Sequence, residues 1–225
     1  MMKTSLKIAT LFLISLLISC SGSKNAISEF DAATADHQRI AVVPFQSKIN
    51  LKKKQKENIS DSELKELNIA QGKEVQNAVE SFLIGEKLQV RVQSQSVTNS
   101  KLRSANINLS NITEVDVTRL ASILGVDAVV VGRIETEQPM TDELARGLDV
   151  AKGLARSAGG ILGSLGKGVS TTTNKGSCSL GLFEKVHGDR LWNYSDDLEM
   201  GAGSDVKDVM EKMMEKGAKK FPYKR

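Results

Sequence analysis

Cysteine is scarce in this chain: only Cys20 and Cys178 are present. Two cysteines can form one disulfide at most, so no disulfide framework is expected. Histidine is equally rare. His37 and His187 have no ligand-spaced companions, so no metal site is expected. Aromatic residues make up 4% of the chain, which argues against a platform for stacked bases. Charge of one sign is missing too. With 31 Lys and Arg against 27 Asp and Glu, the net charge of +4 gives no concentrated basic stripe, and no nucleic-acid partner is expected. The longest apolar stretch, Ala9 to Ile18, falls short of the ~20 residues that span a bilayer. Gly166-Lys167 suggests a phosphate loop but fails on spacing, because residue 161 is Ile and residue 168 is Gly.

What is present begins at the N-terminus. Lys3 and Lys7 precede an apolar run broken only by Thr10 and Ser15, and small residues surround Cys20. Residues 1–19 therefore read as an export signal. The tetrad Leu17-Ile18-Ser19-Cys20 resembles the lipobox of bacterial lipoproteins. The alternative is an ordinary secretory signal that contains a cysteine. The resemblance implies that Cys20 becomes residue one and carries a covalent lipid, with palmitate among its acyl chains, as the only attached group. Two or three such chains hold a protein on a membrane, at ~0.8 kcal/mol per buried methylene. Ser21 and Gly22 stand where an Asp would signal inner-membrane retention in that family, and no acidic run follows. The resemblance thus implies the outer membrane, facing the periplasm.

Residues 20–38 are polar and small, and read as a flexible tether. A domain is expected over residues 39–225. Arg39 to Phe45 is short, β-branched and apolar, which predicts a buried first strand. Ile49 to Ser60 reads as a polar loop with a basic knot, Lys52, Lys53, Lys54 and Lys56. That knot is either a solvated loop or a contact for anionic lipid headgroups, where clustered lysines gain ~1 kcal/mol each. Ser60 or Asp61 can cap a helix to about Glu86, whose apolar positions recur at three and four. Leu88 to Val97 alternates as a half-buried strand, and a polar link runs to Ile112. Thr113 with Asp116 resembles a capping box for a helix ending at Gly125. Asp127 to Ile134 predicts a central third strand. Cys178, Leu180 and Leu182 alternate before a hairpin turn at His187-Gly188-Asp189. Ser204 can cap a last helix, ended by Pro222. Cys178 reads as a small core residue rather than a nucleophile.

The order is β-α-β-α-β, a helical insertion, then β-β-α. Right-handed crossovers place the first strand between the second and third. The fold class is therefore mixed α/β, a central mixed sheet with helices on its faces.

Three stretches carry a family resemblance. Arg39 to Phe45 matches an opening "(K/R)-I-A-V-x-P-F" strand, Leu124 to Gly132 an "L-G-A-D-A-V-V-x-G" step, and Leu182 to Trp192 a glycine-turn hairpin ending in Leu-Trp. Together they resemble the domain shared by curli-secretion channel lipoproteins, penicillin-binding-protein activator lipoproteins and the amino-terminal domain of the translocation protein TolB. Gln93 and the stretch Glu184 to His187 depart from the family pattern. The resemblance implies a binding or assembly module.

The insertion, residues 140–177, is the unusual part. Leu144, Leu148, Ala151, Ala155, Ala158, Leu162 and Leu165 follow a heptad spacing, and Gly159 and Gly163 extend a small-residue ridge. The seam Leu144, Leu148, Ala155, Gly159, Leu162 and Leu165 is either packed on its own sheet or a contact for an oligomer or membrane interface. The expected function is a non-catalytic envelope accessory that binds a periplasmic protein partner. The alternatives are an oligomeric secretion-channel component and, third, a hydrolase or nucleotide-binding protein.

Overall fold

The computed structural model describes residues 26–51, 53–57, 59–137, 174–200 and 206–224. Cys20, Lys52, the seam Leu144 to Leu165, the Gly166-Lys167 pair and the Ser204 cap lie outside the described residues.

The chain folds as mixed α/β, with six strands in one sheet among the described residues. The strands are β1 (Arg39–Val42), β2 (Gln46–Ile49), β3 (Arg91–Gln93), β4 (Ala128–Thr136), β5 (Asn174–Glu184) and β6 (Arg190–Met200). The order is β3-β1-β4-β5-β6, with β2 also paired to β4. β1 therefore lies between β3 and β4, parallel to both, as right-handed crossovers require. β5 and β6 extend the sheet as antiparallel strands. The longer helices among the described residues are α1 (Asp61–Gly85), α2 (Gln95–Ser104), α3 (Val117–Leu124) and α4 (Val206–Lys219).

Alternation along the strands builds two cores. Ile40, Val42, Val130, Ile134, Leu180, Leu182 and Trp192 point to the α1–α4 side, where Val75, Val79, Met213 and Met214 cover them. Ala41, Val43, Val129 and Val131 point the other way, onto Leu102, Leu120 and Leu124. This period-two division is what a sheet covered on both faces demands.

The first strand departs from expectation. It is not continuous from Arg39 to Phe45, because it breaks at Pro44 and resumes as β2. β1 pairs Val42 with Val130, and β2 pairs Gln46 with Arg133, so three residues of one strand oppose two of β4. This is a bulge, and Pro44, with no donor, sits in it. The bulge is fixed to α1 and β4 by two glycines. The Phe45 amide donates to the Gly72 carbonyl at 3.0 Å. A Cβ on Gly72 would lie 2.0 Å from the Phe45 oxygen, and one on Gly132 would lie 2.2 Å from the Phe45 ring. Gln76 Nε2 donates to the Val42 carbonyl at 2.7 Å. β2 itself reads as polar because α1 satisfies it through side chains: Asn68 accepts from the Ile49 amide, and Gln71 donates to Ser47 and Thr136.

Ser60 caps α1 in a full capping box with Glu63. The strand expected over Leu88 to Val97 shrinks to β3, and the expected polar link contains α2 and a 3₁₀ turn, Leu109–Glu114. α2 buries only Thr98 and Leu102, so it leaves almost no apolar stripe to read. It is held by amides instead. Gln95 donates to Gln76 and to the Lys73 carbonyl, Asn99 donates to Gln76, and Gln93 donates to Thr98. The α3 cap is Asp116, which accepts from the Arg119 amide at 2.9 Å, while Thr113 donates to Gln46 rather than closing a box. Gly125 ends α3 at φ +65°, a left-handed cap that favours glycine.

Candidate interaction surfaces

The described part of the basic knot, Lys53 to Lys56, follows closely on the end of β2. Lys53 and Lys56 are exposed on a helical turn, Lys53–Lys56, which also includes Lys54. The turn is pinned beneath by Leu51, which packs with Ile49 against Ile59, Leu64 and Leu67. Two of the cationic side chains therefore project from an ordered base.

A second surface escaped the sequence reading. Beyond α2 and α3, none of the described residues covers the face of β4–β5–β6 opposite α4, which holds a cleft of about 450 Å³. Strand register lays out its rows. Arg133 stands beside Ser179 and Ser195, and Val131 beside Gly181 and Asn193. Arg133 is steadied by Gln46 at 3.1 Å and Thr113 at 3.4 Å. The Phe183 ring lies across Gly181, where a Cβ would meet it at 2.5 Å. Arg190 stands at the rim. The signal was present in the sequence. The residues alternating with Cys178, Leu180 and Leu182 are small and polar, and they form this face. It carries two arginines above a floor of short side chains, a layout that accepts a complementary protein surface or acidic groups.

Several perturbed titratable groups hold turns and strand ends, while burial raises Glu80. Burial opposes ionisation of Asp127, yet the Gln38 and Arg39 amides, at 2.8 and 2.9 Å, outweigh it and hold the carboxyl below its usual range. Glu184 behaves alike. Burial is outweighed by the Val186, His187 and Asp189 amides, so the carboxylate closes the hairpin turn. His37 Nδ1 lies 2.5 Å from the Tyr223 hydroxyl, and burial lowers its pKa against the pull of Asp127, Glu184 and Asp36. Burial, then Asp196, pushes the Cys178 thiol up to about 12. Such a thiol is inert at neutral pH. Tyr194 is raised by burial and by its hydrogen bond to Asp196. Among the described residues, no group of three or more His, Cys, Asp or Glu is placed to hold a metal ion, and no helix is long and apolar enough to cross a membrane.

Part of the span expected as a tether lies on the domain. Ala26 forms an antiparallel bridge with Trp192, and the Ile27 amide donates to the Leu191 carbonyl at 3.0 Å. Phe30 is buried edge-on against Tyr223, with ring centroids 5.1 Å apart. A short helix, Phe30–Ala33, and the Thr34 hydroxyl, which donates to the Phe30 carbonyl, shape the segment up to His37.

No protein-family model matches the sequence, and no curated protein matches it. Among solved structures, the chain is similar to the PelC dodecamer from Paraburkholderia phytofirmans at 12% identity, covering 84% of this chain and 89% of that one, with a TM-score of 0.40. It is also similar to the lipoprotein GNA1162 from Neisseria meningitidis at 15% identity, covering 81% and 96%, with a TM-score of 0.39.

Proposed function

We propose that this protein is a non-catalytic lipoprotein of the outer membrane. It is acylated at Cys20, faces the periplasm and regulates a protein partner through its α/β domain. The observation that carries the reading is the Leu17-Ile18-Ser19-Cys20 tetrad behind a basic, apolar leader. Support for binding rather than catalysis comes from how the reactive groups are used. Asp127 caps the start of β1, Glu184 closes a turn, the thiol is buried, and His37 joins two chain segments. The open face with Arg133 and Arg190 offers the contact area. The motif resemblance to activator and channel lipoproteins supports the same class.

Fractionation of cells producing Cys20→Ala tests it. The native protein is expected with outer membranes, and the variant in the soluble periplasm. Equal distribution of the two between fractions contradicts acylation. Crosslinking from the open face then identifies the partner, and Arg133→Glu with Arg190→Glu is expected to abolish that crosslink without unfolding the domain.

A further inference from the structure

We infer that residues 26–38 act as a strap that keeps the domain close to the bilayer carrying its lipid, so the partner it serves lies at that bilayer and not at a distance from it. The inference rests on acylation at Cys20. Reach sets how far the domain can stand from its lipid. An extended chain spans at most ~3.3–3.6 Å per residue, so with Ala26 docked the lipid-bearing residue sits within about 20 Å of the domain. Were the strap free up to Gln38, the same chain would reach about 60 Å. A domain of this size is about 40 Å across. Its far side therefore stands no more than about 60 Å above the bilayer with the strap in place, against about 100 Å without it.

Successive contacts hold the strap along its length. Ala26 and Ile27 bond to the edge of β6 through Trp192 and Leu191. Phe30 enters the main core against Tyr223. His37 meets the Tyr223 hydroxyl, and Asp127 takes the Gln38 and Arg39 amides. The strap thus joins β6, the C-terminal tail and the start of β4, three places far from it in sequence. Only Phe30 places a large side chain in the core, so one substitution can release the strap, including the two backbone contacts of Ala26 and Ile27, while the sheet stays intact.

The test uses the full acylated protein on vesicles with a lipid-dye acceptor, and a donor dye on Lys56→Cys, an exposed position. The mass of each sample is read first. A chain without acyl groups overturns the anchoring reading itself. With acylation present, the amides of residues 27–38 are expected to exchange slowly. Phe30→Ala is expected to raise their exchange by at least tenfold and to lower energy transfer. A second variant, with a flexible twelve-residue spacer between Lys24 and Asn25, is expected to lower transfer equally while keeping 27–38 protected. Circular dichroism of Trp192 reports that both variants are folded. Free exchange of 27–38 in the native protein, or unchanged transfer in the spacer variant, overturns the strap.

Discussion

Replacing Gly72 by alanine sets two effects of known sign against each other. Alanine in a helix interior is favoured over glycine by about 1 kcal/mol, so propensity alone predicts a stabilised α1. Packing predicts the reverse. The new Cβ would sit 2.0 Å from the Phe45 carbonyl oxygen, and backbone cannot rotate aside as a side chain can. Relief requires α1 and the bulge to part. That lengthens the Phe45–Gly72 bond and the Gln76–Val42 bond, each worth about 1 kcal/mol. Overpacking adds about 1–3 kcal/mol. The balance is a net loss of about 2–4 kcal/mol, or about 4–16 °C in Tm for a domain of this size. Gly85, the last residue of the same helix, supplies the control. A Cβ there meets nothing within 4 Å, so Gly85→Ala is expected to gain up to about 0.5–1 kcal/mol. Urea unfolding followed by Trp192 fluorescence measures both. A Gly72→Ala protein as stable as Gly85→Ala would refute the account of how the bulge is held.

Three further outcomes follow from the same contacts. Cys178, buried with its pKa raised to about 12, is expected to resist thiol reagents at pH 8 until the domain unfolds, so its labelling rate in low urea tracks global opening. Rapid labelling of the native protein would contradict its place in the core. Ser60→Ala is expected to lose about 1 kcal/mol through the α1 capping box, read from the urea midpoint. Acid is expected to act in two stages. His37 has a lowered pKa in the folded state, so its contribution is complete above pH 6.5 and declines as pH falls through the folded value. Asp127 and Glu184, also lowered, lose theirs only at more acidic pH, below the usual carboxylate range. His37→Asn should erase the first stage alone in a pH series of urea midpoints.

Much of this fold was legible because burial writes a period into sequence. β4, with apolar residues on both faces, and α3, with a strong stripe and Gly125 behind it, sit where the sequence places them. The strand order followed from crossover handedness. What was hidden was held by polar side chains. α2 packs through Gln95, Thr98 and Asn99, and β2 is bonded by Asn68 and Gln71, so neither shows an apolar rhythm. The bulge was masked by the apolar letters on either side of Pro44. Of the candidate surfaces, the lysine turn was visible as a charge run. The open face was readable only as the complement of a buried alternation, and its arginine partners, Gln46 and Thr113, come from distant segments. The docking of residues 26–38 depends on Phe30 meeting Tyr223 near the other end of the chain, which no local pattern announces.

Mass spectrometry of protein extracted from native membranes examines the anchor most directly. A chain starting at Cys20, heavier by a diacylglyceryl group and a further acyl chain, is the predicted product. A chain whose first residue lies elsewhere, with an unmodified thiol at position 20 or none at all, would contradict it.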